Sequence, residues 1–86
     1  SRAYLDGVEL DERGKALLLN SIGPTTYTCK SCKGAYIVLK SIFVTSSPGP
    51  IESLYWCRNC HQMSRVNEEY PAQWHQRLIN RITESA

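Results

Sequence analysis

A chain of 86 residues has room for one small domain and recovers less of its unfolded surface than a larger protein, so a metal or disulfide staple is expected. Apolar residues make up 42% and charged residues 21%, which argues against wholesale disorder, and no apolar run is long enough to span a bilayer. The net charge of +2 is too small to indicate nucleic-acid binding by itself.

The first predicted element is an N-terminal helix over residues 8–22. Asp6 and Glu9 have the spacing of a capping box at its start, and Gly23 followed by Pro24 is a strong helix stop. The apolar side chains that fall near one helical face are Leu10, Leu17, Leu18 and Ile22.

Two matched cysteine pairs follow, and together they contain every cysteine of the chain: Cys29, Cys32, Cys57 and Cys60. Two residues between cysteines allow a tight turn to aim both sulfurs at one ion, and two such turns complete a tetrahedron around zinc. The sequence therefore predicts one structural Zn²⁺ held by four thiolates.

The interval between the pairs has a β pattern. Residues 35–45 and 51–56 are rich in β-branched and aromatic side chains, and the Ser-Ser-Pro-Gly-Pro segment at 46–50 is a predicted turn. These runs predict an antiparallel hairpin that brings the cysteine pairs together at one end. There is room for a third short strand from Gln62 to Val66.

A C-terminal amphipathic helix is predicted over residues 71–84, with Pro71 in its first turn. Trp74, Leu78 and Ile82 recur at four-residue steps and form an apolar stripe with the adjacent Ile79. The stripe needs a partner surface, either within the chain or on another molecule. We therefore treat Trp74, Leu78 and Ile82 as candidate partner-binding or dimerisation residues.

The cysteine spacing, the implied hairpin and Gly34 after the first pair resemble the zinc ribbon superfamily. The resemblance covers residues 27–67, about half the chain, and no specific family is identified. Lys33 and His61 stand where glycine is common in the ribbon pattern. The resemblance implies a small α+β fold, a four-cysteine zinc ribbon flanked by an N-terminal and a C-terminal helix in a single domain of residues 1–86.

Other interpretations of the cysteines remain open. Two disulfides would suit a secreted chain of this length, although cysteines two residues apart rarely bridge each other comfortably. Four thiolates also accept iron, as in rubredoxin-like electron carriers, but the Lys-Gly-Ala and His-Gln-Met segments here replace the glycine and aromatic residues usual beside those knuckles. A mixed site in which His61 replaces a cysteine is a further alternative.

The segment from Cys57 to His61 also fits the attachment motif for c-type haem, with His61 as the axial ligand. His75 could supply a second ligand, whereas Met63 is too close to His61 to reach the opposite haem face. This interpretation leaves the first cysteine pair unexplained. The β pattern also gives no helical pocket for a haem.

Basic residues concentrate on the metal-binding segment. Residues 29–66 carry a net charge of +4, whereas 1–28 and 67–86 each carry −1. The candidate nucleic-acid-binding residues, which would contact phosphates, are Lys30, Lys33, Lys40, Arg58 and Arg65. The aromatic residues that could stack on bases are Tyr36, Phe43, Tyr55 and Trp56. The competing interpretation is that these aromatic residues form the core and that the basic side chains balance the thiolate charge.

Strict strand alternation places two sets of side chains on opposite faces of the first strand. One set is Tyr36, Val38, Lys40, Ile42 and Val44, and the other is Ala35, Ile37, Leu39, Ser41 and Phe43. Because Lys40 and Ser41 are the only polar breaks, this pattern is compatible with a sheet covered on both faces.

The predicted function is non-enzymatic. The sequence contains no nucleophile with a base at readable spacing and no glycine-rich phosphate loop, and four thiolates leave zinc no open position for water. Zinc ribbons by analogy act in transcription or another nucleic-acid process, by binding nucleic acid or a protein of that machinery. The alternative is a protein-interaction or dimerisation module with purely structural zinc. Free thiolates predict a reducing, intracellular setting, and neither a membrane nor a small-molecule substrate is expected.

Overall fold

The computed structural model describes residues 1–23, 27–33 and 37–84 and gives a small α+β fold. The elements in chain order are β1 (Arg2–Leu5), β2 (Val8–Glu9), α1 (Glu12–Ile22), β3 (Ile37–Val44), β4 (Ile51–Cys57), β5 (Met63–Glu68) and α2 (Ala72–Glu84). The predictions that concern Pro24, Gly34, Ala35 and Tyr36 lie outside the described residues.

A short N-terminal hairpin replaces the start of the predicted first helix. Val8–Glu9 pairs antiparallel with β1 through a turn at Asp6 and Gly7, whose φ angles of 50° and 81° are both left-handed. Two left-handed central residues are what a two-residue hairpin turn requires, and Asp-Gly is a preferred sequence for it. The predicted helix over residues 8–22 is therefore wrong at its N-terminal end.

The helix cap also differs from the prediction. Asp11 is the N-cap of α1, and its side chain accepts a hydrogen bond of 2.8 Å from the backbone N–H of Gly14. Asp6 and Glu9 form no capping box, because Asp6 accepts a 2.9 Å hydrogen bond from the backbone N–H of Ser46 instead. This contact joins the N-terminal hairpin to the loop after β3.

The five strands form one sheet in the order β2-β1-β3-β4-β5 across the described part of the chain. The antiparallel pairing of β3, β4 and β5 confirms the predicted hairpin and its third strand. The sheet is larger than predicted because β1 pairs in parallel with β3, from Arg2 opposite Ser41 to Leu5 opposite Val44. The segment between β1 and β3 includes α1, as a parallel connection requires.

A β-bulge in β3 corrects the predicted alternation. Leu39 pairs with Tyr55, but the next pair is Ser41 with Leu54, so Lys40 is an extra residue. An inserted residue reverses which side chains face each side of the sheet beyond it. Leu39 therefore lies on the same face as Ile42, contrary to strict alternation.

The two helices cover one face of the sheet. The buried core between the helices and the sheet consists of Ala3, Leu18, Ile42, Val44, Ile51, Leu78, Ile79 and Ile82. We call this side the covered face and the opposite side the open face, because no element within the described residues packs on it. Cross-strand pairing places on the open face Tyr4, Val38, Phe43, Glu52, Leu54, Trp56, Met63 and Arg65.

The predicted C-terminal helix forms as α2, and its apolar stripe packs into the core of the same chain. Leu78 and Ile82 are 2% and 3% exposed. Trp74 is half-buried and stacks on Tyr70, with ring centroids 4.3 Å apart. In this fold Leu78 and Ile82 have no free surface to offer a partner, so the dimerisation hypothesis loses two of its three residues.

Candidate metal centre and open sheet face

The four cysteines meet at one end of the sheet. The first pair lies in the turn before β3, and the second pair begins at the last residue of β4 and ends in the turn before β5. The Sγ atoms of Cys29 and Cys60 are 3.5 Å apart, those of Cys32 and Cys57 are 3.6 Å apart, and all four lie within 4.8 Å of one another. The chain therefore brings together the four residues that the spacing predicted.

This donor set fits a tetrahedral metal ion. Zn–S bonds of about 2.3 Å place the sulfurs of a tetrahedron about 3.8 Å apart, close to the 3.5 and 3.6 Å of these two Sγ pairs. The four cysteines form no disulfide with one another, and the Sγ separations of 3.5 and 3.6 Å are far beyond the roughly 2.05 Å of a disulfide bond. The cluster could therefore hold a metal ion.

The two cysteine turns have the same backbone geometry. The N–H of Lys33 donates to the carbonyl of Cys29 and the N–H of His61 donates to the carbonyl of Cys57, each at 2.9 Å. Lys33 and His61 have φ angles of 54° and 64°, in the left-handed region that favours glycine. These are the positions at which the sequence departs from the glycine of the ribbon pattern, and both turns accept the strain.

Thiol electrostatics also favour a cation between the four sulfurs. The backbone N–H of Cys32 lowers the pKa of Cys29. The backbone N–H of Gln62 acts in the same direction on Cys60, but burial and the thiols of Cys29, Cys57 and Cys32 together raise its pKa to about 12. Crowded thiols resist losing all their protons, and a divalent cation would remove that penalty.

His61 belongs to the open face and not to the sulfur cluster. Its ring stacks on Trp56 with centroids 5.3 Å apart and an interplanar angle of 8°. The amino group of Lys40 lies 5.1 Å from the centroid of the Trp56 ring, within cation–π range. Lys40, Trp56 and His61 thus form a basic and aromatic strip beside the second cysteine turn, which we call the knuckle strip.

A second aromatic pair lies further along the open face. Tyr4 and Phe43 occupy paired positions on β1 and β3 and stack with centroids 5.0 Å apart and an interplanar angle of 11°. Phe43 is 37% exposed, and Met63, beside Trp56 on β5, is 50% exposed. Sequence reasoning missed Tyr4, because its position depends on the parallel pairing of β1 with β3.

The predicted basic residues divide between two places. Lys30, Lys33 and Arg58 are exposed on the cysteine turns, whereas Lys40 and Arg65 lie on β3 and β5. Arg65 pairs with Glu52 on the open face at 3.3 Å. Both side chains are well exposed, so this pair is weak and would yield readily to a phosphate.

The predicted aromatic residues divide as well. Phe43 and Trp56 lie on the open face, but Tyr55 is buried on the covered face, where burial raises the pKa of its hydroxyl. Tyr55 is therefore a packing residue and not a surface for base stacking. Tyr36 lies outside the described residues.

His75, the other histidine, is a core residue of α2. It is 1% exposed, and neither ring nitrogen has a hydrogen-bond partner among the described residues. This is the position of a packing side chain within the core. An unpaired polar ring inside a core costs stability, a point that can be tested by substitution.

Comparisons with protein-family models, with curated proteins and with solved structures found no match to this chain. Neither helix in the described part of the chain has the length and apolar content needed to cross a bilayer. The features of this chain that bear on function are therefore the metal centre and the two surfaces of the sheet.

Proposed function

We propose that this chain is a non-enzymatic, zinc-stabilised domain of the zinc ribbon type that binds single-stranded nucleic acid through its open face. It would act in transcription or another nucleic-acid process inside the cell. The observation that carries the proposal is the coincidence of two aromatic stacks and a cation on the one face that the described elements leave uncovered.

Zinc is the metal that the donor set favours. Four thiolates suit zinc in a closed, structural site, and no ligand position is left for a reacting water. Cys29, Cys32, Cys57 and Cys60 would hold it, and the ion would fix the end of the sheet that bears the knuckle strip. Iron remains an alternative occupant of the same four sulfurs.

The open face suits unpaired bases. Bases stack on exposed aromatic rings only when they are free of a duplex, and each stack contributes about 1–3 kcal/mol whatever the base. Phe43 on β3 offers one such platform, and the exposed ring of His61, which stacks on Trp56 of β4, offers the other. Lys40 and Arg65 lie on the same side of the sheet, and Lys33 and Arg58 extend the positive charge beyond its end.

Charge reversal tests the proposal. Fluorescence anisotropy would be measured with labelled single strands of roughly twelve nucleotides between about 50 and 200 mM salt. Lys40→Glu should weaken binding by at least about tenfold and reduce the salt slope by about one. Arg77→Glu, the same charge change on the exposed side of α2, should weaken binding by less than about threefold.

The outcomes separate the proposal from its alternatives. Preference for a matched duplex over the single strand would contradict base stacking as the mode of binding. If wild-type protein binds no nucleic acid at low salt, the proposal is wrong, and the open face would be a docking surface for a protein of the same machinery.

A further inference from the structure

A cavity of about 450 Å³ lies on the covered face, between the C-terminal end of α1 and strands β3 to β5. Its size is within the range of roughly 300–1,000 Å³ typical of small-ligand pockets. Leu39 and Ile51 contribute apolar walls, and Tyr27, Tyr55 and Tyr70 contribute aromatic ones. The cavity is separated from the open face by the sheet, so it belongs to neither the proposed nucleic-acid surface nor the metal centre.

Two of the tyrosine rings that line the cavity lie at a steep angle to each other. The rings of Tyr27 and Tyr55 meet edge to face, with centroids 5.0 Å apart and an interplanar angle of 64°. The ring of Tyr70 stacks on Trp74, which fixes its orientation. Aromatic faces carry partial negative charge and attract cations, and cages of several rings are a recurrent site for alkylated ammonium groups.

Among the described residues that line the cavity, the one fixed charge is negative. Glu68 lines it, and its Oε2 accepts a hydrogen bond of 2.7 Å from the Tyr70 hydroxyl. Burial and the neighbouring Glu68 raise the pKa of Tyr70 to about 12, so this hydroxyl remains a donor at neutral pH. None of the residues described as lining the cavity is Lys, Arg or His.

The end of α1 adds to this polarity. Asn20 and Gly23 also line the cavity, and the last turn of α1 contains no basic residue. A helix C-terminus carries partial negative charge because the peptide dipoles along the helix are aligned. A cationic ligand is therefore favoured by the carboxylate, the aromatic rings and the helix end. The apolar walls favour a cation that carries alkyl groups.

We infer that this cavity binds an organic cation of the alkylammonium class, with the charged nitrogen near Glu68 and Tyr70 and its alkyl groups against the tyrosine rings. A bare metal cation is a poor guest, since a single carboxylate supplies too few oxygen ligands. The cation would come either from a free small molecule or from a methylated lysine of another protein.

The first experiment compares choline with its uncharged isostere, the alcohol in which a tert-butyl group replaces the trimethylammonium group. Binding to the zinc-loaded full chain would be followed by NMR titration, with the shifts of residues around the cavity as the readout. Choline should bind at least about tenfold more tightly, because only the charged form gains from the rings and the carboxylate. Equal affinities, or no binding of either, would overturn the inference.

A matched pair of variants places the cation. Glu68→Gln removes one charge from the cavity while keeping an oxygen for Tyr70, and Glu69→Gln makes the same charge change at the adjacent exposed residue. We expect choline binding to fall by about fivefold or more in the first and by less than twofold in the second. Equal losses would show a general charge effect and contradict the site.

Titrations with peptides distinguish the two possible sources of the cation, a free small molecule and a methylated lysine. Tighter binding of a peptide with trimethyl-lysine than of choline would identify a modified protein, whereas the reverse order would identify a free small cation. An unmodified peptide that binds as well as the methylated one would overturn the inference. Because the cavity and the open face lie on opposite sides of the sheet, failure here leaves the nucleic-acid proposal standing, and failure there leaves the cavity unaffected.

Discussion

The two faces of the sheet differ in how they use apolar residues from the same strands. On β3, Ile42 is buried under the helices, while Phe43, the next residue, is exposed on the other side and stacks on Tyr4. On β4, Tyr55 is buried and Trp56 is only partly covered, by Lys40 and His61. The covered face holds the fold together, whereas the open face displays aromatic side chains that the core does not need.

The largest effect is expected from loss of the metal, which should unfold the sheet and so disrupt both of its faces. Cys57→Ser removes a sulfur at the end of β4, and metal binding in such sites supplies about 10 kcal/mol or more of folding free energy. We expect loss of NMR dispersion and of the bound metal in native mass spectrometry. Asn59→Ser changes the same turn without removing a sulfur and should remain folded.

Native-like dispersion of Cys57→Ser in metal-free buffer would contradict this prediction. It would mean that the helices and the covered face fold without the ion. Metal analysis of the wild-type protein in the same experiment also identifies zinc or iron.

Neighbouring substitutions in β3 test the contrast between the faces. Ile42→Ala should reduce the free energy of unfolding by about 2–4 kcal/mol, because it leaves a cavity in the core. Phe43→Ala should cost less, about 1–2 kcal/mol, because its ring is already 37% exposed and loses only part of a buried area together with the stack on Tyr4. Urea unfolding of the two variants measures the difference, and equal losses would show that the open face is also a core.

A substitution within α2 tests the buried ring of His75, whose nitrogens have no polar partner in the described part of the chain. His75→Leu should raise the free energy of unfolding by about 1 kcal/mol, because an apolar side chain has no hydrogen bonds to lose in the core. Thermal unfolding at neutral pH provides the measurement. A loss of stability of similar size would mean that His75 is satisfied by a partner outside the described residues.

The smallest expected effect compares the two cysteine turns. Lys33→Gly should stabilise its turn by about 1 kcal/mol, because glycine adopts a left-handed conformation without steric cost. His61→Gly relieves the same strain but removes the stack on Trp56, so its gain should be smaller. Unfolding of both variants measures the difference, and equal gains would show that the stack on Trp56 contributes nothing.

Local patterns were enough to predict the parts of this fold that depend on nearby residues. The cysteine spacing predicted the cluster, and the β and helical patterns predicted β3 to β5 and α2. The N-terminal hairpin was missed although Asp6-Gly7 is a turn signal, because the residues after it also fit a helical period. The parallel pairing of β1 with β3 is a contact between residues about 39 positions apart, as for Arg2 and Ser41, which no local pattern specifies.

The open face could not be predicted from the sequence for a related reason. The bulge at Lys40 changes which residues share a face, and a bulge arises from cross-strand register and not from composition. With strict alternation, β3 shows no clear difference between its two sides. Only after the bulge and the parallel pairing are known do Tyr4, Phe43 and Trp56 fall on one surface.

NMR mapping with a single-stranded oligonucleotide tests the central claim most directly. Amide and side-chain shifts of the zinc-loaded protein would be followed during the titration. We predict that the largest changes fall on Tyr4, Lys40, Phe43, Trp56 and Arg65, while the buried side chains of Leu18 in α1 and Ile79 in α2 barely move. Changes concentrated on the helices, or none at saturating oligonucleotide, would contradict the assignment of the open face as a nucleic-acid surface.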